Sequence, residues 1–221
     1  MVSTPMACQV NLWGRTVGYL ADTGDGIATF EYDDDFLGSG LQISPLMMPL
    51  RKGIVYSNTQ DPKAFDGLLG VFADSLPDIY GKKVVQHYFE TLKKTGFTSS
   101  LQSLMYIGNR AIGALDYAPT EDIGISAREA LDIKYLVEQA KRVLKGEIEP
   151  MIATIMQSYA TAGGQRPKAV IGWNRTTNEI CAGIPPLPEG FEHWILKFDG
   201  ADGEPKEYGR LEHAYAKMAQ S

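Results

Sequence analysis

The chain is poor in the residues from which metal and redox centres are built. It has two cysteines, Cys8 and Cys181, and three histidines, His87, His193 and His213, among 221 residues. The cysteines lie far apart, and neither stands beside another metal-ligand residue type. Both are expected to be small buried apolar residues in a reducing cytosol, leaving zinc and disulfide frameworks unsupported. There is no excess of positive charge: the net charge is −6 and the isoelectric point about 5.1. A face that displaces counter-ions from nucleic acid needs the opposite sign, so autonomous DNA or RNA binding is not expected. Lys82-Lys83, Lys93-Lys94 and Lys141-Arg142 are short enough to be solvated helix faces. No run approaches 18 uninterrupted apolar residues, which excludes a helical membrane span. The opening Met1-Val-Ser-Thr-Pro-Met-Ala7 lacks a basic segment and an apolar run, so no secretory signal is expected and a cytoplasmic protein is.

What is present is alternation and punctuation. Gln9–Trp13 and Thr16–Leu20 flank Gly14-Arg15, which reads as a hairpin turn, and 27–32 alternates as a third strand. Asp33-Asp34-Asp35 precedes Phe36-Leu37, where carboxylates suit a helix N-terminus better than a metal. Phe65, Leu68, Leu69 and Phe72 have helical spacing over 65–76. Val85, Tyr88, Phe89 and Leu92 do the same in a second helix, with Glu90 and Lys94 paired on its outer face. The spacing predicts one or two more helical turns over 101–107, then a strand over 112–117.

Residues 119–127 are polar and read as a linker. A helix follows, started either by a Ser126/Glu129 capping box or by Asp132. Three strands are predicted at 169–173, 179–182 and 193–198. The final helix, 207–219, has Tyr208, Leu211, Tyr215 and Met218 as its expected inner stripe. The fold class expected is α+β: a β-meander with packed helices over 1–120, then a second sheet with flanking helices over 121–221.

The chemistry-bearing candidates cluster late. Ala162-Gly163-Gly164-Gln165 is backbone free of bulk that can wrap an anion, with Arg166 and Lys168 beside it. A Gly-Gly turn before a strand accounts for the same residues, and the Walker A spacing is absent. Lys197 shares a strand face with Ile195. It is either a solvent-facing lysine or a cation in a cleft that contacts nucleotide phosphates with Ile195 beneath the base. Glu212 borders the stripe of the last helix, as an ordinary surface residue or as the carboxylate that orients Lys197. No Ser-His, Cys-His or paired-glutamate constellation competes, and no residue is assigned a catalytic or metal-binding role.

Four stretches together carry a resemblance. They are Leu12-Trp-Gly-Arg-Thr-Val-Gly-Tyr19, Phe65-Asp-Gly-Leu-Leu-Gly-Val-Phe-Ala-Asp-Ser-Leu-Pro-Asp78, Ile107-Gly-Asn-Arg-Ala-Ile-Gly-Ala-Leu115, and the 162–169 loop with its Lys197 strand. In this order the chain resembles the HipA family of bacterial toxin serine/threonine kinases. The resemblance implies an amino-terminal subdomain over 1–120 and the start of the kinase domain over 121–221. It implies ATP and Mg²⁺ as cofactors, 162–168 as the phosphate loop and Lys197 as the phosphate-contacting lysine. It further implies an autophosphorylation site at Ser158, or secondly at Thr161, that silences the kinase by expelling the loop. The implied partners are a HipB-like helix-turn-helix antitoxin, through which alone DNA is reached, and a protein substrate. The family's catalytic and metal-binding aspartates lie in a helical lobe with no counterpart in 1–221, so this chain is expected to be silent by itself. The competing expectation is a non-catalytic interaction module that binds a HipA-like kinase or an antitoxin.

Overall fold

The structure, a computed structural model, describes residues 6–22, 26–55, 65–77, 81–82, 85–86, 89–90, 99–111, 113–120, 132, 134–135, 138, 168–198 and 207–220. It is α+β, with two antiparallel sheets. The chain divides into two compact units, Met1–Leu76 with Thr95–Asp122 and Pro77–Lys94 with Ile123–Ser221.

The first unit is built on a five-stranded antiparallel sheet: β1 (Met6–Leu12), β2 (Arg15–Asp22), β3 (Ala28–Tyr32), β4 (Ile54–Val55) and β5 (Leu115–Ala118), in the order β4-β3-β2-β1-β5. Alternation fixes which face is covered. Cys8, Val10 and Leu12 of β1, Ala28, Phe30 and Tyr32 of β3, and Leu115 and Tyr117 of β5 all point into the core. Between Val10 and Asn11 the pairing with β2 shifts by a residue. This bulge brings neighbouring Val17 and Gly18 both to buried positions.

Three short helices close the core of this unit. In α1 (Asp34–Leu37) Asp33 is the N-cap, its carboxylate accepting from the Asp35 amide at 3.0 Å, which is the role expected for the aspartate run. Next come α2 (Gly70–Ala73) and α3 (Ser100–Ile107), the latter opened by a reciprocal capping box between Ser99 and Gln102. Phe30 meets Tyr32 edge-on and Phe72 at a tilt, both at 4.9 Å, and Tyr32 lies parallel to Phe36 at 6.0 Å. The Tyr32 hydroxyl donates to the Met48 carbonyl at 2.6 Å and ties the 41–53 segment to the sheet.

Two expectations for this unit need correction. The first hairpin turns at Trp13-Gly14, not Gly14-Arg15. Both turn residues have positive φ, 50° and 77°, as a two-residue turn matched to strand twist requires, and Arg15 begins β2. The helix expected over 65–76 shrinks to four residues. Asp66 and Gly67, at φ 51° and 77°, are left-handed and halt helical geometry, and Phe65 is exposed while Leu68, Leu69 and Phe72 are buried.

In the second unit, residues 81–82, 85–86 and 89–90 are helical, Val85 and Phe89 are buried, and the Gln86 amide donates to Glu90 at 2.8 Å. Tyr88, Leu92 and Lys94 lie outside the described residues. Asp132 accepts from the Lys134 amide at 2.8 Å and so caps the helical residues that follow. The unit's sheet has β6 (Lys168–Asn174) at its centre, flanked by β7 (Glu179–Ala182) and β8 (Glu192–Lys197), all antiparallel. The β6–β7 turn is organised by Asn174, whose side-chain oxygen accepts from the amides of Thr176 and Thr177. Ala169, Ile171 and Phe198 form a buried cluster on one face, with Ile180 and Leu196 against it. The final helix, α4 (Tyr208–Ala219), has no buried residue. Its expected inner stripe is in fact exposed: Leu211 52%, Tyr215 69% and Met218 68%. Helical periodicity reports that a helix is two-faced, not that its own chain covers the apolar side.

Trp13 stands 74% exposed in a left-handed turn position that asparagine tolerates far better. Trp13→Asn should therefore raise unfolding stability by about 1 kcal/mol, measured by urea denaturation. Burial pushes the Cys8 thiol from 9.0 up to about 12, and raises the Tyr117 phenol as well. A group whose folded pKa is raised stabilises fully below its unfolded pKa and loses that contribution as pH climbs toward the folded value. The urea midpoint should fall progressively above about pH 9, with a shallower slope in Cys8→Ala.

Candidate functional site

The β6–β8 register brings the late candidates together. Lys168 pairs directly with Lys197, Val170 with Ile195, and Gly172 with His193. Directly opposed residues in an antiparallel pair share a face, so these six residues line one side of the sheet. The other side holds Ala169, Ile171, Leu196 and Phe198, together with Trp173 and Trp194 in an edge-on contact at 5.1 Å.

Two lysines directly across from each other are an unfavourable pairing in a bare sheet. They are also differently placed. Lys168 is 6% exposed, whereas the Lys197 side chain is 56% exposed. The Lys197 ammonium donates to Glu212 Oε2 at 2.6 Å, which joins β8 to α4. The contact places the Glu212 carboxylate against the Lys197 ammonium. Ile195, 48% exposed, stands two residues from Lys197 on the same face and leaves an apolar surface beside the cations.

The far end of this face is closed by close packing. A Cβ at Gly172 would lie 2.6 Å from the Cys181 sulfur and 2.9 Å from Leu187 Cδ2, so only glycine fits between them. Burial raises the Cys181 thiol above its ordinary value, which keeps it a neutral packing group. Cys8 and Cys181 are both free and buried. Among the described residues no group of three or more His, Cys, Asp or Glu side chains is placed to hold a metal ion. None of the helices described is long and apolar enough to cross a membrane.

Of the residues singled out in the sequence, Lys168, Ile195, Lys197 and Glu212 are described and lie at one face of one unit. Ala162, Gly163, Gly164, Gln165 and Arg166 lie outside the described residues, as do Ser158 and Thr161. Sequence reading missed that Lys168 is the direct cross-strand partner of Lys197. No local sequence signal marks it, because the register of β6 with β8 is set across the long connection between them. The Lys197–Glu212 pair has both ends more than half exposed, so its Coulomb gain is screened. Glu212→Gln should change folding stability by less than about 1 kcal/mol in urea denaturation.

A search of the curated proteins returned no match. A family model described as the HipA N-terminal domain matches residues 8–118, half of the chain. The matched span runs from the first buried residue of β1 to the end of β5, so it takes in all five strands of that sheet but for Met6 and Ala7, and stops short of the lysine face. By this match the chain belongs to the HipA family, through its N-terminal domain.

Proposed function

We propose that the second unit grips ATP, and that the chain is the N-terminal, nucleotide-binding portion of a HipA-like serine/threonine kinase toxin from a toxin–antitoxin module. The observation that supports this most is the cross-strand pair Lys168–Lys197, with one ammonium held by Glu212. An exposed strand-borne ammonium oriented by a carboxylate suits a phosphate group. The residues at the exposed strand fit the ligand: the Lys197 cation at one row, and the exposed apolar Ile195 at the next for a base.

On this reading Lys197 contacts phosphate and Glu212 positions its ammonium, while Lys168 reinforces the charge from the neighbouring strand. The 162–166 backbone completes the phosphate grip, and Ser158, or secondly Thr161, is the modification site that releases it. Mg²⁺ would enter with the nucleotide and neutralise its phosphates. The residues of this chain bind and orient, and no base or metal ligand for phosphoryl transfer to a protein hydroxyl is assigned among them. Family membership favours a HipB-like antitoxin as the partner, and with a net charge of −6 any DNA contact would pass through that partner.

A second reading, a non-catalytic module that binds a HipA-like kinase or antitoxin, is favoured by one observation. The stripe of α4 is exposed. Nucleotide titration separates the two. Hydrogen bonds to charged groups are worth about 1.5–3 kcal/mol, so Lys197→Ala should weaken ATP–Mg²⁺ binding roughly tenfold or more in calorimetry. The interaction-module reading predicts no change, and equal affinities for the two proteins would sink the nucleotide assignment.

A further inference from the structure

The five-stranded sheet of the first unit has a second face. Its inward residues make the core, and the intervening positions form rows on the opposite side. One row crosses all five strands as Ala118, Gln9, Tyr19, Glu31 and Ile54, each directly opposed to the next. The neighbouring row holds Asp116, Asn11 and Thr16. The face is open: Tyr19 is 48% and Ile54 49% exposed, and Glu31 between them is exposed too.

Charge on this face has one sign, whereas a solvated surface ordinarily intersperses both. Arg15 is the one lysine or arginine in the five strands, and it stands opposite Leu12, which points into the core. Glu31 and Asp116 thus face outward without a cation in their own sheet. Neither makes a side-chain hydrogen bond or ion pair with another described residue. Asp116 is partly buried, and the loss of water raises its carboxyl above the ordinary value, so it lacks a counter-charge. Between the two carboxylates the polar centre is already ordered. The Gln9 amide donates to Asn11 Oδ1 at 2.7 Å and to Thr16 Oγ1 at 2.9 Å. The sign of the face repels nucleic acid, an anionic membrane and the same face of a second copy, and it suits a polypeptide that brings cations.

Tyr19 and Glu31 are directly opposed, so a guanidinium lying on the phenol ring also reaches the carboxylate, a combination that an ammonium meets less well. Ile54, on the far side of Glu31, offers apolar surface to the arginine stem. Glu31 and Asp116 stand three strands and two residues apart, about 16 Å at roughly 4.8 Å per strand and 3.3 Å per residue. Arginines four residues apart in an extended segment are about 13 Å apart, and their long side chains span the rest. We propose that this outer face docks an extended, arginine-bearing segment of another protein, with one arginine on Tyr19 and Glu31 and a second at Asp116. The surface belongs to the first unit and is independent of the nucleotide reading.

The test is a calorimetric titration of the complete 221-residue chain, at low ionic strength, with a glycine/serine peptide carrying two arginines four residues apart and with its two-lysine counterpart. Wild type should bind the arginine peptide more tightly. Glu31→Gln and Asp116→Asn should each weaken that peptide about two- to fivefold, the range of an exposed ion pair. Tyr19→Leu, which keeps an apolar side chain, should erase the preference for arginine and leave the lysine peptide unchanged. Glu189→Gln, which removes an exposed carboxylate from the second unit, should change nothing. Far-UV circular dichroism, unaltered in all four variants, shows that the sheets are intact. A loss in Glu189→Gln equal to that in Glu31→Gln means attraction to an acidic chain at large and overturns the proposal. Wild type that binds neither peptide, or both equally, overturns it as well.

Discussion

Antiparallel pairing between β6 and β8 is the constraint on which the candidate site depends. Six consecutive residues of each strand are matched, and a slip by one position would move Lys197 to the face that holds Ala169, Ile171 and Phe198. Burying an ammonium there without a partner would cost far more than any single contact in the unit gains. The apolar cluster on one face thus specifies the register, and the register specifies that two lysines meet on the other. Packing does not create the charge pair; it leaves no other alignment for it.

A price in repulsion is thereby fixed at the same position. Like charges directly opposed disfavour the sheet, and at Lys197 that is offset by Glu212 through an exposed, screened bond. The first unit contrasts with this. Its sheet is held by interlocked aromatic rings, by a bulge that turns two neighbouring residues inward, and by caps that satisfy helix ends. It is an arrangement fitted for stability, and nearly all of it lies within the span that the HipA N-terminal domain model matches.

Much of this was legible from the amino-acid order. Alternation located β2, β3, β6, β7 and β8 to within about two residues and β1 to within three, because a half-buried strand has few other ways to arrange its side chains. The aspartate run before Phe36 declared its capping role through position alone. Helical spacing misled twice. At 65–76 two left-handed residues overrode a sound apolar period, and in α4 the period gave the right helix but not the exposure of its stripe. The lysine pair could not be read directly, since cross-strand registry depends on a long proline- and glycine-rich connection. Lys197 and Glu212 were each ambiguous by spacing, and the contact between them gained meaning only once α4 stood beside β8.

One last feature speaks in optical terms. The indole rings of Trp173 and Trp194 cross at 70° with centroids 5.1 Å apart, on the side of the sheet turned away from the lysines. Neighbouring chromophores held at such an angle share their electronic excitations, and the shared transition is chiral. Strand alignment in this small sheet therefore writes its own line into the ultraviolet spectrum, one that vanishes with a one-residue slip and owes nothing to the third tryptophan, at the tip of the first hairpin.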